Sequence, residues 1–382
     1  MLKVYWTQLM SFDARGYGKV AQELGWALET AGVRMLAPTE FNWDFKVLVS
    51  TPKSWYHPDP VTVHEDVIYH TMYDADLLPE PWIDCLNLVG NIWVPSEWSK
   101  NVFIRSGVTQ PIFVSGYGVD HERMVYTPPP MFTGCPDSLV HSHEDLNKGE
   151  LEIRAPKEWL QKNLGLNIYE GLIDASSEVI QSAPKDKPFV FLSVATNVFD
   201  RKGAMTAIRA FRGLDAPNAI LVLKFNSGMS VVVKDDDRIR SLVGDYSTED
   251  FINLIQRCNC LVYPSSGEGF GLIPLEGMAL GRPVIVTDYA GMTEYVDEKY
   301  CYPLPIEGIQ RSELYNQAYD ADGSWAMISE DTLCGIMQHV YDNYEEAVEK
   351  GRLASDHVRS VWTWDSAGER ALAALEDLYW RI

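Results

Sequence analysis

Short, strongly apolar runs alternate with amphipathic helical stretches in two separate series along this chain, and that alternation restricts the fold to α/β. In the first series a strand is predicted at 2–6, followed by a loop containing Gly16 and Gly18. A helix from about 19 to 30 places Val20, Leu24, Ala27 and Leu28 on one face, and Gly32 stops it. Strands are predicted at 46–49, 66–69, 91–94 and 112–114, with a helix at 97–106. The second series has strands at 188–194, 219–225, 261–263 and 283–286. Its helices are expected at 204–212, at about 248–258 behind a Ser247 or Thr248 cap, and after a Gly-rich loop near 270. Repeated strand–helix units form parallel, doubly wound sheets, and two series imply two such domains around a central cleft.

Thr127-Pro128-Pro129-Pro130 separates the series, and the polar stretch 126–187 reads as a linker or inserted subdomain with helices near 157–163 and 173–182. The expected division is therefore a first Rossmann-like domain over 1–125 and a second over 188–363, with an amphipathic closing helix at about 364–382.

The chain has 382 residues, with 32 Lys and Arg against 54 Asp and Glu, for a net charge of −22. Such a balance repels phosphate backbones and anionic lipid, so nucleic acid is not an expected partner. The acidity is uneven: the net charge is −6 over 1–125, −4 over 126–187, −2 over 188–296 and −10 over 297–382. The nearly neutral stretch is the natural place for a small anionic ligand. The start of the chain does not read as a signal peptide, and no apolar run approaches the ~20 residues of a membrane span. Six scattered cysteines do not form a disulfide framework, and a reduced, cytoplasmic setting is expected. Cys258-Asn259-Cys260 lacks the further ligands of a metal site and reads as a buried pair.

The chemistry concentrates in the segment 263–284, Tyr-Pro-Ser-Ser-Gly-Glu-Gly-Phe-Gly-Leu-Ile-Pro-Leu-Glu-Gly-Met-Ala-Leu-Gly-Arg-Pro-Val. A buried strand enters a loop with Gly267, Gly269 and Gly271, and a helix follows with Pro274 in its first turn. Close-set glycines let amides approach an anion, and the helix N-terminus adds partial positive charge. Glu268 and Glu276 lie eight positions apart beside this turn. Two carboxylates next to an anion site make sense as acceptors for hydroxyls, as a sugar and a ribose would offer.

This segment resembles the retaining glycosyltransferases of family 4, which have the GT-B fold, through the E-x(7)-E pair Glu268 and Glu276 in the fuller pattern E-G-F-G-L-x-P-L-E-x-M-A-x-G-x-P-V. The resemblance extends to Arg201-Lys202-Gly203, Gly16-Tyr17-Gly18, Tyr69-His70-Thr71, Trp93-Val94-Pro95-Ser96, Gly118-Val119-Asp120 and the closing helix, which in that family packs back on the first domain. It implies a metal-independent, retaining hexosyl- or pentosyltransferase that moves a sugar from a nucleotide-diphosphate sugar, in UDP or GDP form, to a saccharide or glycoconjugate hydroxyl. No separate cofactor is expected. Lys202 is placed on the donor diphosphate, Glu276 on the ribose and Glu268 on the donor sugar. The amides of Phe270, Gly271 and Leu272 would face sugar and phosphate, and Gly16 and Gly18 would let the first loop pass the diphosphate. The resemblance makes His70 a catalytic group at a strand end. Where the family often carries Gly-Arg, this chain has Ala195-Thr196, and Arg201 is the candidate replacement.

Asp74 is a candidate general base on the acceptor side, with a solvated loop carboxylate as the plainer description. Lys224 is a further candidate for reaching the donor. Asp235-Asp236-Asp237 reads as a solvated turn and not as a metal motif, so no metal site is expected. Two alternatives stand beside the enzyme reading: a nucleotide-sugar-binding protein without transfer activity, and a phage-type glycosyltransferase acting on modified DNA bases.

Overall fold

The computed structural model describes residues 1–8, 17–36, 40, 42–50, 66–130, 188–195, 200–226, 233, 236–311 and 323–380. The candidate Gly16, the position 196 and most of the stretch 126–187 lie outside them.

The first series builds β1 (Lys3–Gln8), α1 (Tyr17–Thr30), β2 (Arg34–Met35), β3 (Phe45–Val49), β4 (Val67–His70), α2 (Glu80–Leu86), β5 (Asn91–Val94), α3 (Glu97–Ser106) and β6 (Ile112–Val114). These strands form one parallel sheet in the order β2-β1-β3-β4-β5-β6. Every residue of β3 and β4 is buried, as expected for parallel strands covered on both faces. Val49 pairs with His70, and His70 with Trp93, so His70 sits in line with its neighbours' ends at the carboxyl edge of the sheet.

The second series gives β7 (Phe189–Val194), α4 (Ala204–Arg212), β8 (Ala219–Phe225), β9 (Ile239–Val243), α5 (Thr248–Gln256), β10 (Cys260–Tyr263), α6 (Leu272–Ala279), β11 (Val284–Thr287) and β12 (Tyr302–Leu304). The sheet is again parallel, in the order β12-β11-β10-β7-β8-β9. An antiparallel hairpin follows, β13 (Gly308–Arg311) and β14 (Ser324–Met327), then α7 (Glu330–Asp342), α8 (Tyr344–Val361) and α9 (Trp364–Tyr379). Ser247 caps α5 by accepting from the Asp250 amide.

The chain returns to the first sheet after α8. Val119 and Thr363 form a parallel bridge, and a Cβ on Gly118 would lie 2.1 Å from the Thr363 carbonyl carbon. Helix α9 then packs on α1, with Gly368 against Ala27. One continuous core joins the two sheets: Phe270 touches the rings of Tyr117, Tyr295 and Trp362. Arg282, fully buried, donates to the Thr127 carbonyl and, at 3.0 Å, to the Gln256 carbonyl.

Cys258 and Cys260 are buried and free, and no helix among the described residues is long and apolar enough to cross a membrane.

Candidate active site

Strand β10 delivers the loop 264–271, and α6 leaves it. Gly271 caps α6 with φ of +85°, a left-handed conformation that suits glycine. The Tyr295 hydroxyl donates to its carbonyl at 2.6 Å. The first amides of α6 have no intrahelical acceptor and carry the positive end of the helix dipole. From the first domain, Ser96 and Ser99 donate to the Gly269 carbonyl at 2.8 and 3.2 Å, fixing the loop against the N-terminus of α3.

Glu268 is the centre of a buried polar cluster. Its Oε1 accepts from Lys202 Nζ, from the Tyr263 hydroxyl at 3.0 Å, from Ser265 Oγ at 2.7 Å and from Arg201 Nη1 at 3.1 Å. Burial favours the neutral acid, but Lys202 and Arg201 overrule it and hold the carboxyl well below its ordinary value. Lys202 also donates to Tyr263 at 2.9 Å. Burial pushes its ammonium below the usual lysine range despite the pull of Glu268. Arg201 and Lys202 come from the short 3₁₀ turn Asp200–Lys202, which Gly203 ends at φ +68°. A Cβ on Gly203 would stand 2.0 Å from the Pro264 carbonyl oxygen, so the close approach that lays this turn on the Glu268 loop requires glycine.

Asp74 departs from the solvated-loop description. Its Oδ2 lies 3.2 Å from Arg201 Nη2, and its Oδ1 accepts from the Gly269 amide at 3.1 Å, so it bridges the domains. Arg201 is correspondingly committed: it binds Asp74, Glu268 and, at 2.6 Å, the Gly267 carbonyl. Burial opposes its charge, yet the two carboxylates raise its pKa above the ordinary value.

Glu276 is 3% exposed, in the second turn of α6, and its Oε1 accepts from Lys19 Nζ in the first turn of α1. Gly18 is buried immediately before that lysine. His70 is fully buried and stacks on Tyr117 at 5.6 Å. Ser115 Oγ donates to the Val94 carbonyl at 3.3 Å, so His70 Nε2, 3.3 Å away, donates to Ser115. Nδ1 is then the lone-pair nitrogen, and it has no partner among the described residues. Burial lowers the His70 pKa to about 4, which keeps the ring neutral at pH 7. The Phe270 side chain is core, leaving only its amide to a ligand.

Lys224 is turned elsewhere: it donates to the carbonyls of Phe225 and Gly244 and lies over the Tyr246 ring. Asp236 pairs with Arg238 at 2.8 Å. Asp235 is outside the described residues, among which no three His, Cys, Asp or Glu side chains are grouped as for a metal ion.

The structure thus brings Arg201, Lys202, Glu268 and Asp74 into one cluster, with Gly271 and Leu272 at the helix start beside it. Tyr263 and Ser265 are members of the cluster that sequence reasoning missed, as it missed Lys19 beside Glu276. Tyr263 and Ser265 flank Glu268 closely enough to have been suspected; Lys19 carried no such signal.

The model of the family Glycosyl transferases group 1 matches residues 175–303, the span that carries this loop and both its cations. This stretch of the chain is similar to the group 1 glycosyltransferases. The chain is 39% identical over 69 residues to an uncharacterized glycosyltransferase of Methanocaldococcus jannaschii, a match covering 18% of this chain and 20% of the relative. Matches to the first curated relatives span between 20% and 44% of their lengths. The chain shares the fold of sucrose-phosphate synthase from Thermosynechococcus elongatus, with a TM-score of 0.62, 13% identity and full coverage of both chains. Anabaena HepE in complex with UDP-glucose aligns with a TM-score of 0.57 and 14% identity over 95% of this chain and 84% of its own. Two facing Rossmann-like sheets of GT-B type are therefore the architecture around the Glu268 loop.

Proposed function

We propose that this chain is a metal-independent, retaining glycosyltransferase that moves a sugar from a nucleotide-diphosphate sugar to a saccharide or glycoconjugate hydroxyl. The observation that carries the reading is the position of Lys202: a buried ammonium on the same loop system as Glu268 and the open start of α6. Breaking the anomeric bond puts negative charge on the leaving diphosphate, and a fixed cation with helix amides stabilises it as it forms. Water is excluded around Lys202 and Glu268, which strengthens that stabilisation.

Glu276 accepts from the ribose and Glu268 from the donor sugar. Four donors already converge on Oε1 of Glu268, which makes this carboxylate a poor nucleophile and a rigid hydrogen-bond acceptor. Transfer by same-face displacement, without a covalent enzyme intermediate, fits that role. His70 presents a neutral lone pair at the carboxyl edge of the acceptor-side sheet. The structural relative HepE binds UDP-glucose, which favours a nucleotide-diphosphate donor here.

A thermal-shift screen across UDP-, GDP- and ADP-sugars tests the reading. A donor at 100 times its dissociation constant adds ~2.7 kcal/mol of stability. No shift with any of the three classes would count against it.

A further inference from the structure

We infer that Lys19 is a donor-binding residue: the first domain supplies it as a second cation for the donor diphosphate, and Glu276 holds it in place. The inference rests on the donor site proposed above and adds a residue from the opposite domain.

Four observations lead to it. Lys19 Nζ donates to Glu276 across the cleft, and both side chains are nearly buried, at 13% and 4% exposure. Glu276 is one helical turn, about 6 Å, from the start of α6, so the ammonium is within reach of an anion held by the Gly271 and Leu272 amides. An ammonium has three N–H donors, and that of Lys19 has one acceptor among the described residues, Glu276. Its place in the first turn of α1 opposes the helix dipole, a conflict that an anion beside it relieves.

Charge balance points the same way. Arg201, Lys202 and Lys19 are each paired with a carboxylate, Asp74, Glu268 and Glu276, and Glu23 also feels the Lys19 charge, so none of these cations is in excess before any diphosphate enters. Arg201 is tied to Asp74, Glu268 and the Gly267 carbonyl. Lys19 can keep Glu276 and turn its remaining donors to a phosphate oxygen. Glu276 then serves twice, orienting Lys19 with one oxygen and accepting from the ribose with the other.

Calorimetric titration of the full chain with UDP, GDP and ADP, each beside its free nucleoside, separates this role from a structural ion pair. Lys19→Gln is expected to weaken the nucleoside diphosphate that binds by about ten- to a hundredfold, the range for a charge-assisted hydrogen bond. The matching nucleoside should change by less than about threefold, since it makes no phosphate contact. Lys19→Arg should recover most of the lost affinity, and the unliganded melting temperature of both variants controls for folding. Equal weakening of nucleoside and diphosphate, or an unchanged diphosphate affinity, overturns the role of Lys19 while leaving the donor site intact. Failure of the unsubstituted chain to bind any of the three diphosphates overturns both.

Discussion

Asp74 and Arg201 face each other across the cleft, with Oδ2 3.2 Å from Nη2, and the same carboxylate receives the Gly269 amide through Oδ1. One acidic side chain of the first domain thereby fixes both a cation and a loop amide of the second.

Replacing Asp74 separates its two bonds. Asp74→Asn keeps an acceptor for the Gly269 amide and loses only a partly exposed ion pair, worth no more than ~1 kcal/mol. Asp74→Ala also strands the amide and should cost about 1–3 kcal/mol. Denaturant melts of the two variants should rank Ala below Asn, and equal stabilities would show that the Gly269 bond contributes nothing.

Tyr263→Phe removes the hydroxyl that lies 2.9 Å from Lys202 and 3.0 Å from Glu268. Glu268 keeps three donors, whereas Lys202 loses its one neutral acceptor among the described residues. The expected result is a donor KM raised by about five- to tenfold, from a hydrogen bond of ~1–1.5 kcal/mol, with little change in melting temperature. Steady-state kinetics in donor would expose the opposite pattern, a stability loss with unchanged KM.

Acid weakens this protein in two windows of opposite chemistry. His70 has a folded pKa of about 4, below the ordinary 6.5, so the unfolded chain binds its proton first. Stability therefore falls as pH drops from 6.5 toward 4, by up to ~3 kcal/mol in all. Glu268 is also depressed, but as a carboxylate: its contribution is present above 4.5 and is lost as pH falls below that value. His70→Gln should flatten the upper window and Glu268→Gln the lower one in melts taken from pH 7 to 3. An upper window unchanged by His70→Gln would mean that the ring is not held neutral.

Gly203→Ala places a Cβ 2.0 Å from the Pro264 carbonyl oxygen at a φ of +68°. Backbone must shift, at a cost of at least ~2 kcal/mol, and the turn carrying Arg201 and Lys202 shifts with it. Loss of donor binding together with a lower melting temperature is expected. Gly213→Ala is a comparison within the same domain, where the nearest side-chain atom is the Cys334 Sγ at 3.0 Å. It should leave donor affinity unchanged.

The sheets were legible because parallel strands buried on both faces read as unbroken apolar runs, as at Phe189–Val194 and Cys260–Tyr263. The loop around Glu268 was legible because its glycines, carboxylates and helix start are contiguous. Strands β2 and β12 escaped notice because they are only two and three residues long, and half-buried β9 because its apolar run is broken by Arg240 and Ser241. Asp74 and Lys19 are different: their partners lie across the cleft, 127 positions away at Arg201 and 257 at Glu276. Local spacing holds no record of such a meeting, which arises only when the two sheets dock. Tyr263 shows the intermediate case, a strand-end aromatic whose ring belongs to the core and whose hydroxyl belongs to the site.

The most direct test is nucleoside diphosphate release from the stabilising sugar nucleotide by the unsubstituted chain and by Lys202→Ala, in the presence of a saccharide acceptor panel. Release by the unsubstituted chain, reduced at least ~100-fold in the variant, is the predicted result for a cation that stabilises the leaving group. Equal rates in both proteins, or tight donor binding with no release against every acceptor, would contradict a glycosyl transfer centred on Lys202.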